Sequence, residues 1–296
     1  MLDLRSRFLV ARVLPEIGSC LESVMLIRPD GTTTPVLLAP SVAAMQAGDA
    51  RQAAHFPMLP FVNRVPGNML RCEGREFSVA PNTDEPLALH GTGWQGSWRV
   101  LSQSPEACEM ELHAPTGFPF DFRASQKITL SDSALLIEPG LTNTSSHPIP
   151  VGLGFHPYFP RDQATRLQFN ADWFWLEGPG HLPTDAIRTP PELSFAMSRA
   201  LPDHWRANCF TGWTGPVVID QPARGHRIEM IASKGLRDLM VYAPPGTGFF
   251  AVEPQSHTTG FLDTQSDSPT TTPLHALRSN AQFAAWMKVT VRFLPV

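Results

Sequence analysis

Short runs of apolar residues alternating with polar ones recur along the whole chain, a spacing typical of β-strands with one buried face. Two consecutive runs, Phe122 to Leu130 and Ala134 to Leu141, flank a three-residue turn and predict a hairpin. A longer run from Leu167 to Leu176 alternates as far as Asp172 and is interpreted as one strand. The other predicted strands are Cys20 to Arg28, Val36 to Leu38, Met69 to Cys72, Glu76 to Val79, Ser97 to Leu101, Ala107 to Leu112, Val151 to Phe155, Val217 to Ile219, Arg227 to Ala232, Asp238 to Tyr242, Phe249 to Glu253 and Phe283 to Leu294.

Three segments lack this alternation and are predicted to be irregular. The segment from Phe56 to Gly67 holds three prolines yet is strongly apolar, so we expect a loop that lies against the core. The segment from Gly178 to Pro202 is rich in proline and shows little periodicity. The segment from Ser256 to Ser279 is a polar loop. With 30 prolines and 21 glycines spread along the chain, the sequence favours short strands joined by turns over helices.

Length and composition fit one large β domain. A chain of 296 residues accommodates either one large all-β domain or two ordinary ones, and its hydrophobic content of 42% is ample for a sizeable core. Neither an internal repeat nor a compositional break marks a boundary. We therefore expect a single antiparallel β-sandwich domain over residues 1–296.

Charge and targeting signals exclude several classes of partner. A net charge of -4 offers no electrostatic basis for binding nucleic acid or an anionic membrane surface. No apolar run approaches the roughly 18 residues of a membrane span, and the N-terminus lacks a signal-peptide pattern. The four cysteines are far apart, without zinc-type spacing, and are interpreted as reduced core thiols. The sequence thus predicts a soluble, cytoplasmic protein, monomeric or homodimeric.

The strongest candidate for chemistry is the segment from Gly154 to Phe159. His156 is followed by Pro157, whose ring restricts the backbone, and aromatic residues at Phe155 and Tyr158 form rigid walls. Tyr158 adds a polar hydroxyl. An imidazole in such surroundings suits proton transfer near neutral pH. The alternative is a core histidine satisfied by a backbone carbonyl.

Other polar residues stand at predicted strand ends or in rigid loops. Glu253 ends an apolar strand directly before a proline, and it either caps that strand in solvent or lines a pocket. His90 ends an apolar run at a glycine turn, where a structural role is also open. Asn63 and Arg64 lie in the apolar, proline-bracketed loop and need partners or a ligand.

Several other chemistries lack their motifs. The chain has no GxSxG elbow, no P-loop and no HExxH. The run Gly91 to Gly96 matches GxGxxG, but a strand pattern follows it where a dinucleotide site requires a helix. No second acid comparable to Glu253 supports a glycosidase. What remains suits general acid–base catalysis on a neutral polar substrate.

Four segments together resemble the aldose 1-epimerase (galactose mutarotase) family. They are Pro60 to Val65, Leu89-His90-Gly91 with Trp94, Gly154 to Phe159, and Ala251 to Ser256, in the family's order and at comparable spacing. The resemblance implies a large antiparallel β-sandwich of the galactose mutarotase-like type, with a sugar cleft on one face. It implies no cofactor and no metal.

The resemblance also assigns roles to residues. Glu253 would remove the proton from the anomeric hydroxyl, and His156 would protonate the ring oxygen, so that the ring opens and recloses as the other anomer. His90 would help to position the ring oxygen, while Arg64 and Asn63 would hold hydroxyls. Many members of the family have an Asp just before an Asn/His-Cys-Phe segment, where it binds a sugar hydroxyl, and Ala207 occupies that position here. Either Asn208 substitutes for it in part, or Asp203 reaches the cleft from a shifted loop.

Two further functions remain open. A hexose-6-phosphate 1-epimerase would share this chemistry but needs a cluster of basic residues for the phosphate, for which Arg71, Arg75 and Arg99 are candidates. A non-catalytic carbohydrate-binding or regulatory protein of the same fold would keep the cleft and lack turnover.

Overall fold

The fold is built almost entirely from antiparallel strands. The computed structural model describes residues 1–265 and 268–294. The strands in the first half are β1 Leu2–Arg5, β2 Leu9–Leu14, β3 Cys20–Ile27, β4 Thr33–Leu38, β5 His55–Met58, β6 Met69–Cys72, β7 Arg75–Ser78, β8 Arg99–Gln103, β9 Ala107–His113, β10 Phe122–Ser131, β11 Ala134–Asn143 and β12 Ile149–Val151. The strands in the second half are β13 Gly154–Pro160, β14 Arg166–Asn170, β15 Trp173–Glu177, β16 Pro183–Arg188, β17 Arg199–Ala200, β18 Arg206–Thr211, β19 Thr214–Gln221, β20 His226–Ala232, β21 Asp238–Ala243, β22 Phe249–Gln255, β23 His275–Leu277, β24 Gln282–Ala284 and β25 Met287–Phe293.

Helical structure is limited to short segments in the described residues. One α-helix, α1, spans Val42–Gln46 and is capped by the Ser41 side chain, which accepts from the backbone N–H of Ala44. Single 3₁₀ turns are Ala50–Gln52, Pro66–Asn68, Gly93–Gln95, Pro179–His181 and Pro222–Arg224. The run that matches GxGxxG therefore holds only a 3₁₀ turn followed by β8, as its interpretation as a non-nucleotide segment predicts.

Two large sheets form a sandwich. The first sheet has the order β1-β2-β3-β5-β13-β22-β21-β18-β15-β16, with β4 paired to β3. The second has the order β17-β14-β19-β20-β25-β11-β10-β9-β8, with β24 paired to β11. Two small sheets, β12-β23 and β6-β7, lie outside them. The prediction of an all-β, antiparallel sandwich is thus confirmed, while a single domain over residues 1–296, of which 266–267 and 295–296 lie outside the described residues, stays a prediction.

Alternation along the strands separates the main core from the candidate site. In β13, Phe155 and Phe159 belong to the large core cluster that fills the space between the sheets. Because successive strand side chains point to opposite faces, His156 and Tyr158 lie on the other face of the first sheet. There, Tyr158 belongs to a separate, smaller apolar cluster. The site is therefore built on a face that the inter-sheet core holds rigid from behind.

Two predicted segments differ from the structure. The run from Leu167 to Leu176 is not one strand, because β14 belongs to the second sheet and β15 to the first, with the crossing at Ala171 and Asp172. The predicted loop from Phe56 to Gly67 begins in the fully buried strand β5. Pro57 is tolerated in β5 because that strand pairs with β3 only at Leu21–His55, so few donors are needed on that edge.

Two further predictions need smaller corrections. The segment from Gly178 to Pro202 contains β16 and β17 as well as irregular chain. The predicted strand from Phe283 to Leu294 divides into β24 and β25, which both pair with β11. The polar loop from Ser256 to Ser279 contains the short strand β23, and its residues 266–267 lie outside the described residues.

Candidate active site

The two residues predicted to act as acid and base meet across neighbouring strands. β13 and β22 pair so that Gly154 lies opposite Gln255 and Tyr158 opposite Ala251, which places His156 beside Glu253 between them. His156 Nε2 is 3.2 Å from Glu253 Oε1. Both side chains are buried, with exposed fractions of 7% and 2%. An imidazole and a carboxylate at this distance are within reach of direct proton transfer.

Aromatic side chains hold the His156 ring in place. Phe56, opposite His156 in the register of β5 and β13, stacks on it with ring centroids 4.4 Å apart and an interplanar angle of 22°. Tyr158 lies 4.6 Å away on the same strand, and His90 meets the ring edge-on at 5.5 Å. His156 Nδ1 is buried and has no hydrogen-bond partner within the described part of the chain. Packing, rather than a second hydrogen bond, thus fixes the orientation of this imidazole.

Burial keeps the pair in its neutral forms. It lowers the pKa of His156 to about 3, with the nearby His55 adding a smaller effect in the same direction. Burial raises the pKa of Glu253 well above its ordinary value, and Arg64 opposes that rise. The 3.2 Å contact itself favours the charged forms, but loss of solvation dominates in so closed a site. At neutral pH the pair therefore carries one proton, placed at rest on Glu253.

A cavity of about 370 Å³ lies above this pair. Of the residues predicted to form the site, those that line it are Asn63, Arg64, His90, His156, Tyr158 and Glu253. A volume in this range and a mixed polar and apolar lining are typical of small-molecule sites.

His90 and Asn63 are joined by two hydrogen bonds, each donated by a backbone N–H. The Asn63 N–H donates to His90 Nδ1 at 3.1 Å, and the His90 N–H donates to the Asn63 carbonyl at 3.1 Å. Both residues adopt left-handed backbone conformations, with φ of 58° and 57°. Because Nδ1 accepts, the proton of the neutral ring is on Nε2. Burial lowers the pKa of His90 well below its ordinary value, so the ring is a neutral donor.

The backbone conformation at position 91 explains why a glycine follows His90. Its φ is +69°, and a Cβ at this position would lie 1.9 Å from the carbonyl oxygen of Leu59. Only glycine allows this approach, which joins the His90 turn to the loop that carries Asn63. The Leu59–Pro60 peptide bond in that loop is cis.

Arg64 is anchored by a residue that the sequence analysis missed. Its Nε and one terminal nitrogen donate to the two carboxylate oxygens of Glu85, at 2.7 and 2.9 Å. This bidentate pairing leaves the Arg64 side chain only 17% exposed at the cavity wall. Asn63 Oδ1 accepts from the Arg64 N–H, which fixes its amide as well.

The structure does not bring Asn208 to this cavity. Its amide donates to the Trp175 carbonyl at 3.0 Å, and its oxygen accepts from Arg206 at 3.0 Å. Asp203 is fully exposed and approaches Arg161, so it does not reach the cavity either. Ala207 does line it, and therefore neither side chain supplies a carboxylate or amide in its place.

Several cavity residues were missed by sequence reasoning. They are Arg51, Gln52, Phe56, Glu85, Leu89, His181, Trp205, Met240 and Tyr242. The alternation within the predicted strand from Asp238 to Tyr242 was a usable signal for Met240. It places Met240 on one face of that strand, and Met240 lies opposite Glu253 where β21 pairs with β22. The loop residues Arg51, His181 and Trp205 carried no comparable signal.

Neither a metal site nor a membrane helix is found in the residues described. No group of three or more His, Cys, Asp or Glu side chains among them is arranged to hold a metal ion. Within residues 1–265 and 268–294, no helix has the length and apolar character needed to cross a bilayer. The four cysteines are buried as free thiols.

Comparisons with known proteins identify the family. The family model described as aldose 1-epimerase matches residues 7–290. The uncharacterized protein YphB of Escherichia coli K12 is 34% identical over 234 residues, which is 76% of this chain and 79% of that protein.

Solved structures agree with this match. A crystal structure from E. coli K12, described as that of an aldose 1-epimerase candidate, superposes with a TM-score of 0.88 at 29% identity, covering 99% of this chain and 98% of that one. A galactose mutarotase-like protein from Clostridium acetobutylicum gives a TM-score of 0.86 at 16% identity, covering 99% and 95%, a likeness of fold alone. The chain therefore belongs to the aldose 1-epimerase family and has its galactose mutarotase-like β-sandwich fold.

Proposed function

We propose that this protein is a cofactor-independent aldose 1-epimerase that interconverts the α and β anomers of a hexose or related aldose. The observation that carries the proposal is the 3.2 Å contact between His156 and Glu253 on the floor of a cavity of about 370 Å³. A buried acid and base, one proton between them, and an adjoining polar wall are the requirements of this reaction.

The reaction opens and recloses the sugar ring. The resting proton first passes from Glu253 to His156 Nε2 across their 3.2 Å contact. The Glu253 carboxylate then accepts the proton of the anomeric hydroxyl, the C1–O5 bond breaks, and His156 Nε2 donates its proton to O5. Rotation about C1–C2 and closure with the roles reversed give the other anomer. Each transfer of this kind is worth on the order of 10² to 10⁴ in rate.

Ring opening returns the pair to its neutral resting form. Opening converts an imidazolium and a carboxylate into a neutral imidazole and a carboxylic acid, and the number of protons on the pair stays constant. The directions of the two pKa shifts show that burial favours this neutral form. The transfer that charges the pair costs free energy in the closed site, and ring opening returns that free energy as the neutral pair re-forms.

The wall residues bind and orient the sugar in this proposal. His90 presents its Nε2–H as a neutral donor towards the ring oxygen, because its Nδ1 already accepts from Asn63. Arg64, held by Glu85, donates to hydroxyl groups, and Asn63 and the Tyr158 hydroxyl lie at the same cavity. Asn208 supports the strand end beside Ala207 rather than the sugar.

The basic residues predicted to bind the phosphate of a hexose 6-phosphate do not lie at the cavity. Arg71 pairs with Glu76 and Arg99 with Glu111, and neither they nor Arg75 line the cavity. Arg51 and Arg64 do line it, but each is already paired, with Asp49 and Glu85. A phosphate would have to compete with these carboxylates, so the free sugar is the better substrate.

One experiment separates the three candidate functions. Saturation-transfer NMR on a panel of aldoses and their 6-phosphates measures anomer exchange directly. The proposal predicts accelerated exchange of free sugars. Acceleration of the phosphate esters alone establishes the phosphate epimerase, and binding without exchange establishes the non-catalytic module. A cytoplasmic location remains part of the proposal, is supported by the buried free thiols, and is testable by cell fractionation. A monomeric or homodimeric state also remains part of it and is testable by light scattering.

A further inference from the structure

Two buried imidazoles hold the loop that carries Asn63 and Arg64. The Asn63 N–H donates to His90 Nδ1, and the N–H of Val62, the residue before it, donates to His257 Nε2 at 3.0 Å. His90 lines the cavity, whereas His257 does not line it and is fully buried. Two successive backbone N–H groups of this loop are therefore bound by ring nitrogens from two distant parts of the chain.

The hydrogen bonds of His257 fix its tautomer. Because Nε2 accepts from the Val62 N–H, the proton of the neutral ring is on Nδ1, which donates to the Thr258 carbonyl at 3.2 Å. Burial lowers the pKa of His257 to about 4, although the bond to Thr258 opposes this effect. The ring is therefore neutral at neutral pH, and Nε2 remains free to accept. His90 has the other tautomer, since its accepting atom is Nδ1.

The His257 ring packs closely against the chain that leads into β13. A Cβ at Gly152 would lie 2.3 Å from His257 Cδ2 and 2.8 Å from its Nε2, so only glycine leaves room for the imidazole. The Gly152 N–H donates to the Pro60 carbonyl in the loop. The Leu153 N–H donates to Ser256 Oγ at 2.8 Å, and the Ser256 N–H donates to the Leu153 carbonyl at 2.9 Å. The backbone on both sides of the ring is thus fixed.

His257 connects the strand of the proposed base with the loop of the proposed sugar-binding residues. It follows β22, the strand that carries Glu253, and its Nε2 binds the residue that precedes Asn63 and Arg64. Without an acceptor at Nε2, the buried Val62 N–H would lose its partner, and the loop could regain one only by moving. A displacement of about 1 Å at a binding group can cost on the order of 10²-fold in activity.

We propose that His257 is a positioning residue, whose Nε2 holds the Val62 N–H and thereby sets the position of Asn63 and Arg64 relative to Glu253. This inference rests on the proposed function and adds to its site a residue that does not touch the sugar. His156 and Glu253 are placed by the pairing of β13 with β22. Loss of the His257 acceptor should therefore weaken sugar binding more than it slows the proton transfers.

Two variants with side chains of equal length test this role. His257→Gln can place its amide oxygen where Nε2 accepts the Val62 N–H, whereas His257→Met has a methyl group there. For glucose and galactose, the methionine variant is expected to raise KM about 10-fold and to keep kcat within about threefold of the wild type. The glutamine variant should keep KM within about threefold. Equal KM values in the two variants, or a fall in kcat alone in the methionine variant, would overturn the proposal.

The matched control is His226→Met. His226 is also fully buried, but it lies in β20 of the second sheet and does not line the cavity. Loss of its ring should lower the free energy of unfolding, measured with urea, and leave KM unchanged. An equal rise of KM in this control would show that KM responds to destabilisation alone and would overturn the assignment. If His257→Met does not fold, His257→Asn takes its place, because its shorter side chain does not reach Val62.

Two further measurements keep this test separate from turnover. If the wild type exchanges no sugar, the proposed function fails, but Kd values from NMR titration still decide the inference: weaker binding by His257→Met than by His257→Gln supports it, and equal Kd values overturn it. Nitrogen-15 NMR of the histidine-labelled wild type needs neither a variant nor a sugar. Between about pH 5 and pH 7, His257 should have a protonated Nδ1 and an unprotonated Nε2. The reverse tautomer would leave no acceptor for Val62 and would overturn the proposal.

Discussion

Two buried carboxyl groups on neighbouring strands of the same sheet face have different partners. Glu253 in β22 contacts an imidazole at the floor of a cavity, whereas Asp238 in β21 accepts hydrogen bonds from the hydroxyls of Thr258 and Thr272. Burial raises the pKa of Asp238 to about 7, while the two threonines hold it down. Its partners fix the loop after β22, so this carboxyl is structural. Burial alone does not make a carboxyl catalytic; access to a cavity and a titratable neighbour do.

The largest effect should come from breaking the catalytic pair at its imidazole. His156→Asn removes the group proposed to protonate O5, so we expect the anomer exchange rate to fall by about 10² to 10⁴. The matched control is His113→Asn, since His113 is exposed and does not line the cavity. Saturation-transfer NMR measures both. A loss of less than tenfold in His156→Asn would contradict the account.

The structural carboxyl should affect stability rather than exchange. The pKa of Asp238 is raised in the folded protein, so this carboxyl ionises at a lower pH in the unfolded chain than in the folded protein. The free energy of unfolding therefore falls as pH rises from about 4 to about 7. Asp238→Asn removes this loss of stability, which amounts to about 1.4 kcal/mol for each unit by which the pKa is raised. Urea unfolding at several pH values should show the variant gaining a few kcal/mol on the wild type across that window.

The control for this comparison is Asp203→Asn, because Asp203 is fully exposed. Its stability difference from the wild type is the baseline against which the pH dependence of Asp238→Asn is compared. A constant difference for Asp238→Asn would show that Asp238 titrates normally and would remove the contrast between the two carboxyls.

The pH profile of kcat/KM tests the protonation state assigned to His156 and Glu253. Burial lowers the pKa of His156 to about 3, so the pair gains a second proton only near that pH. The raised pKa of Glu253 moves loss of the shared proton towards the alkaline side. We therefore expect a level profile between about pH 5 and pH 7. An acid limb near the ordinary histidine pKa of about 6.5 would contradict it.

The smallest effect on activity is expected from weakening the pairing between Arg64 and Glu85. Glu85→Gln weakens the bidentate pairing, so KM should rise a few-fold with little change in kcat, because ground-state and transition-state binding are lost together. Glu111→Gln breaks a comparable arginine pair outside the cavity lining and should leave KM unchanged. A fall in kcat with constant KM would assign Glu85 a role in the chemical step instead.

Much of the fold was predictable because strand alternation is a local property. Hairpins such as β10 and β11 follow directly from their two alternating runs and the short turn between them. The run from Leu167 to Leu176 misled because its alternation continues while the chain passes from one sheet to the other. Which sheet a strand joins depends on distant partners, and no local pattern records that.

The contact between His156 and Glu253, and the cavity positions of Asn63, Arg64 and His90, were predictable from rigid strand ends and from the family resemblance. Asn208 was misplaced because the sequence does not show that its amide is used by the Trp175 carbonyl. Glu85 was missed because its only signal is its contact with Arg64, 21 residues away along the chain.

The most direct test of the central claim is anomer exchange in Glu253→Gln. The amide preserves the shape of the side chain but cannot take the proton of the anomeric hydroxyl. The account predicts that exchange falls by at least about 10², while the NMR titration still detects sugar binding with a similar Kd. Exchange at the wild-type rate in this variant would contradict it.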